Sequence, residues 1–132
     1  MSNPDDPASW MAKAQADMLC IDNNLSAARI PWDVVCYHAQ QAAEKALKGC
    51  LVACKQVAPR THDLLRLLTL CVSQGAPLDH LATDCSLLVR LSAPARYPSD
   101  SYEPTERDGR EAVDAAKRVY AAVLARLETG AP

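Results

Sequence analysis

The chain has 132 residues, a formal net charge of -2 and a pI near 5.9, and its Lys and Arg are scattered, so it lacks the basic stripe that long duplexes require. Apolar residues make up 49% of it and aromatics only 5%, with no Phe, so Leu, Ala and Val must fill the core, a mixture that favours helices over strands. The length suits a single domain over residues 1–132. The acidic start "MSNPDDPASW" has no basic stretch followed by an apolar one, and no apolar run reaches bilayer length, so a soluble, cytoplasmic protein with no membrane contact is expected.

Pro4 and Pro7 keep residues 1–8 irregular, and Ser9 is placed to cap a first helix in which Trp10, Ala14, Met18, Ile21 and Leu25 recur at helical spacing. Asp17 lies beside that stripe. Pro31 suits the first turn of a second helix, the longest, running to about Val57. Thr61 is placed to cap a third, "HDLLRLLTLCVSQ", with Asp63 near the positive end of its dipole and Gly75 and Pro77 to end it. A fourth, from about Leu78 to Ser92, carries Leu81, Cys85, Leu88 and Leu91 and is stopped by Pro94. Residues 94–104 form a Pro-rich loop. Thr105 with Asp108 approximates a capping box for a last helix striped by Ala112, Ala116, Val119, Val123 and Leu127 and closed by Gly130. With no alternating strand run and short connections, the expected fold class is all-α: an up-and-down antiparallel bundle of four to five helices.

Six cysteines without a Cys-x-x-Cys pair or a signal sequence point to reduced thiols. Cys36, Cys50 and Cys54 fall near one face of the second helix, as small buried hydrophobes would. Cys50, Cys54 and His38 match no familiar zinc spacing, so neither a metal nor a cofactor is expected.

The stretch "VVCYHAQQAAEKALKGCL", residues 34–51, is too polar for a plain core helix. Cys36, Ala39, Ala43, Leu47, Cys50 and Cys54 make an apolar stripe, whereas His38, Gln41, Lys45 and Lys48 share a neighbouring one, with Tyr37 and Glu44 beside it. Two readings fit. Either this is a solvated face supported by pairs such as Gln41 with Lys45, or it faces a cleft or partner where amides and charges must satisfy one another.

Taken in order, "YHAQQAAEKALK", "PRTHDL" and "RYP", with Trp10, Ala14 and Asp17 before them, resemble the HEPN family across almost the whole chain. That resemblance implies a homodimeric helical bundle that binds nucleotides and is often encoded beside a minimal nucleotidyltransferase, the two forming a toxin–antitoxin type pair. It also implies the alternative of a metal-independent endoribonuclease toxin. In such enzymes an Arg is followed after four to six residues by a His: Arg holds the scissile phosphate and His moves the 2'-hydroxyl proton.

Arg96 matches the Arg, but "YPSDSYEP" follows it, placing Ser101, Tyr102 and Glu103 where the His belongs. Tyrosine, with an ordinary pKa near 10, is a poor base at neutral pH, so the departure argues against this chemistry. The catalytic candidates are thus Arg96, Tyr102 and His62, with His38 a further acid–base group. The candidate ligand-binding set is Asp17, His38, Gln41, Glu44, Lys45, His62, Asp63, Arg96 and Tyr97. The leading expectation is a nucleotide- or RNA-binding and interaction module that dimerises and partners a nucleotidyltransferase. A purely structural dimerisation bundle is the third reading.

Overall fold

The structure, a computed structural model, describes residues 3–93 and 103–130. Among these residues five α-helices follow one another: α1 (Pro7–Leu25), α2 (Trp32–Ala53), α3 (Leu64–Ser73), α4 (Ala82–Ser92) and α5 (Glu106–Glu128). A 3-10 turn, Asp79–Leu81, leads into α4, so the expected fourth helix is a tight turn and then an α-helix. No strand occurs among the described residues, and the fold is the expected all-α bundle.

The ends of three helices differ from the sequence reading, each for a local reason. α1 starts at Pro7, inside the stretch read as irregular. Asp6 caps it by accepting the Ala8 N–H at 3.0 Å, and Pro7 fills the first helical position, where its missing N–H costs nothing. The Ser9 hydroxyl instead accepts the Asn3 N–H. α2 stops at Ala53, short of Val57, in a Schellman closure. The Gln56 N–H bonds the Leu51 carbonyl and the Lys55 N–H bonds the Val52 carbonyl, both at 3.0 Å, with Lys55 in the left-handed region at φ 65°. A lysine stands where glycine usually marks such an end. α3 is capped by Asp63, not Thr61: its carboxylate accepts the Leu65 and Arg66 N–H groups, and the Thr61 hydroxyl accepts the Asp63 N–H. The Thr105–Asp108 capping box of α5 is present as read.

α2 lies at the centre and contacts the other four α-helices. Its inward residues, Val35, Cys36, Ala39, Ala42, Ala43, Ala46 and Leu47, are fully buried, and their small size lets neighbours pack close. Bulk comes from outside α2, chiefly Ile21, Leu64, Leu67, Leu88, Leu91 and Val119. Two glycines mark close approaches. Gly49 lies against Trp10 and Met11 of α1, and Gly109 of α5 lies under the Trp32 ring. None of the described helices is long and apolar enough to cross a membrane.

All six cysteines are free, and Cys36, Cys50, Cys71 and Cys85 are buried. Burial, reinforced by Asp108 and Asp33, pushes the Cys36 thiol up to about 12, and burial with Asp84 does the same for Cys85. Both values exceed the ordinary 9.0, so the folded chain keeps protons that the unfolded chain releases. The stabilisation is complete below about pH 9 and is lost as the pH rises from there towards 12, at about 1.4 kcal/mol per pH unit for each thiol. Thermal melting should show a Tm that falls as the pH rises above about 9. The double variant Cys36→Ala, Cys85→Ala should show a shallower fall.

Candidate binding site on the second helix

Successive turns of α2 place Lys45 against Asp17 of α1, with Gln41 and Lys45 half-buried and Gln40, Glu44 and Lys48 buried. Two carboxylates organise them. Asp17 of α1 accepts from His38 Nδ1 at 2.9 Å through one oxygen and from Lys45 Nζ at 2.6 Å through the other. Glu44 accepts from Lys48 Nζ at 3.2 Å and lies 3.0 and 3.1 Å from His62 Nδ1, which reaches both of its oxygens from the segment before α3. The site therefore holds two His–carboxylate–Lys groups on adjacent turns.

Amides connect the second group to the backbone. Gln40 Nε2 donates to the His62 carbonyl at 3.2 Å and lies 3.4 Å from Glu44, and Gln41 Nε2 donates to Gln40 Oε1 at 2.8 Å. The expected Gln41–Lys45 support is replaced by these bonds, because Asp17 on the neighbouring helix is a charged acceptor for Lys45 and a neutral amide is not. His38 is further held by the Tyr37 ring, edge-on at 5.5 Å, and Lys48 lies over the Trp10 ring at 5.7 Å.

Charge and depth are segregated. The Asp17 and Glu44 side chains are only 9% and 4% exposed, whereas His38, Lys45 and His62 are 24%, 26% and 71% exposed. Negative charge lies underneath and hydrogen-bond donors lie on top. Lys48 is the exception, 8% exposed and enclosed with Glu44.

The structure thus brings together Asp17, His38, Gln41, Glu44, Lys45 and His62 from the sequence-derived set. Asp63 adjoins them, but its carboxylate is engaged in capping α3. Asp63→Ala should therefore cost about 1 kcal/mol in chemical denaturation. Arg96, Tyr97 and Tyr102 lie outside the described residues. The candidate ligand-binding set left out Gln40 and Lys48, although Lys48 stood on the polar stripe. Both had a usable signal, standing four residues before and four after Glu44, but the Gln40 bond to a main-chain carbonyl 22 positions away had none. Among the described residues no group of three or more His, Cys, Asp or Glu is arranged to hold a metal ion.

A five-helix bundle whose central helix carries a paired polar seam is the class of protein these features define. The family model described as the HEPN domain matches residues 8–127, and the chain belongs to that family. Among solved structures it is similar to the crystal structure of an archaeal HEPN homologue, with a TM-score of 0.71 and 28% identity over 92% of this chain and 97% of that one. No curated protein matches it.

Proposed function

We propose that this chain is a HEPN-type nucleotide- or RNA-binding and interaction module, the dimeric component of a pair formed with a minimal nucleotidyltransferase, acting in the cytoplasm. The observation that carries the reading is the segregation of charge in the seam. Carboxylates that would repel a phosphate are buried and already paired, while the Lys45 ammonium and the His38 and His62 rings lie nearer the surface. Such a face suits an anion, and the interleaved amides suit a base edge.

Titration of the purified protein with nucleoside triphosphates and with short single-stranded RNA, read by melting temperature and by fluorescence anisotropy, tests it. Binding should weaken with salt and in Lys45→Glu. Dimerisation is tested by light scattering, and pairing by co-purification with a nucleotidyltransferase encoded beside it. A chain that binds no nucleotide, no RNA and no such enzyme overturns the reading.

One observation favours the purely structural alternative: Lys45 and Lys48 each already have a carboxylate partner. On that reading Gln41→Ala lowers Tm and leaves every titration unchanged.

A further inference from the structure

Three of the six free thiols meet where α2 ends. Cys50 and Cys54 stand one helical turn apart, and the Cys54 N–H bonds the Cys50 carbonyl at 3.1 Å. Cys71 of α3 reaches the same place: its Sγ donates to the Leu47 carbonyl at 3.4 Å, one turn before Cys50. The Cys50 sulfur lies between the other two and is hydrogen-bonded with both.

Exposure and charge divide the roles. Cys50 and Cys71 are 1% and 0% exposed, whereas Cys54, at the C-cap, is half-buried and has the Arg126 guanidinium of α5 within hydrogen-bonding reach. The hydrogen bond from Cys71 holds the Cys50 thiol below its ordinary range against the opposing effect of burial, and Arg126 and Cys54 act in the same downward sense. Burial and the charge on Cys50 raise Cys54 in turn, so the trio gives up one proton readily and keeps the others. Moving a proton along the Cys50–Cys54 hydrogen bond places that negative charge on the reachable sulfur, beside Arg126. A reachable thiolate next to a cation and a second thiol suits attack on a peroxide followed by closure to a disulfide.

We propose that Cys54 and Cys50 form an oxidation site for hydroperoxides, with Cys54 the sulfur that reacts first and Cys50 the thiol that resolves it. The Cys54 thiolate bonds to the terminal oxygen of the hydroperoxide, the O–O bond breaks, and the departing alkoxide or hydroxide takes from water the proton the trio had released. The Cys50 sulfur then attacks the Cys54 sulfenic acid. An S–S bond forms, and the hydroxide that leaves carries off the Cys50 proton as water. Two thiols and one hydroperoxide thus become a disulfide, an alcohol (or water) and water. Cβ atoms one turn apart on a helix are separated by about 5–6 Å and a disulfide needs about 3.5–4.5 Å, so the new bond draws in the last turn of α2. The Schellman hydrogen bonds of Lys55 and Gln56 close that turn, and oxidation therefore loosens the start of the connection that carries His62.

The test treats the reduced full chain with one equivalent of hydrogen peroxide, blocks remaining thiols by alkylation and digests with trypsin under non-reducing conditions. Cys50 and Cys54 share the peptide of residues 49–55, whereas Cys71 falls in that of residues 67–90. Expected is a 49–55 peptide lighter by two hydrogens and free of alkyl groups, formed about tenfold or more faster than any oxidation of Cys20, which is half-buried on α1. Cys50→Ala should leave a sulfenic acid at Cys54 that a dimedone probe labels, and Cys54→Ala should leave Cys50 alkylated. Cys54→Ala alters a half-buried side chain and should melt near wild type, so its result stands even where Cys50→Ala folds poorly. Arg126→Gln should slow the reaction about threefold or more. A 49–55 peptide that stays alkylated, or that reacts no faster than Cys20, overturns the site. A bond to the 67–90 peptide overturns Cys50–Cys54 as the pair, and oxidation of Cys50 in Cys54→Ala overturns the order of reaction.

Discussion

Glu44→Ala is expected to lower the melting temperature by about 10 °C or more, the largest effect of any single substitution in the polar seam. The Glu44 and Lys48 side chains are 4% and 8% exposed, so removing the carboxylate leaves an ammonium enclosed without its partner. Breaking a buried pair from one side costs about 3–5 kcal/mol, and each kcal/mol moves Tm by roughly 3–5 °C in a chain of this size. Stacking on Trp10 recovers little of that loss. The double variant Glu44→Leu, Lys48→Met should regain most of the stability, since replacing both charges by apolar groups of similar volume removes the desolvation penalty together with the attraction. A thermal double-mutant cycle checks this: additive losses would mean that the pair is not coupled. His62→Ala removes only an exposed partner of Glu44 and belongs at the mild end of the same series.

Gly109→Ala sets two effects against each other, and their sizes decide the sign. Inside a helix, alanine is worth about 1 kcal/mol more than glycine. At Gly109 an added Cβ would lie 2.2 Å from Trp32 Cε3 and 2.9 Å from Cζ3, distances that no side-chain contact tolerates. The Trp32 ring must therefore move, and with it the Arg110 guanidinium that lies 5.3 Å from its centre. Overpacking of this kind costs about 1–3 kcal/mol, so the steric loss outweighs the helical gain and the variant should unfold at lower urea concentration than wild type. Adding Trp32→Leu should relieve the clash and let the helical preference appear. Equal or greater stability of Gly109→Ala alone would refute the close packing of α5 on α2.

Much of the fold was legible because it rests on local rules. Stripes such as Ala112, Ala116, Val119 and Val123 announce a helix through their own spacing, and the Thr105–Asp108 box announces its start. Helix ends were less legible where two residues compete for one role. Asp6 and Ser9 are comparable caps, as are Asp63 and Thr61, and the choice falls to whichever carboxylate or hydroxyl meets free N–H groups in the folded chain. The end of α2 was hidden for a different reason, since Lys55 adopts a backbone angle usually announced by glycine.

The order of motifs along the chain, Asp17, then "YHAQQAAEKALK", then "THDL", was enough to determine an all-α bundle of the HEPN family, because hydrophobic period and motif order are properties of the string itself. Which polar groups meet was decided only by the tertiary structure. Asp17 lies 28 positions from Lys45, and His62 lies 18 from Glu44, so neither pair has a spacing that helix geometry could reveal. The packing of α1 and of the segment before α3 against α2 buries two carboxylates, and a buried carboxylate must recruit donors from whatever element comes within reach.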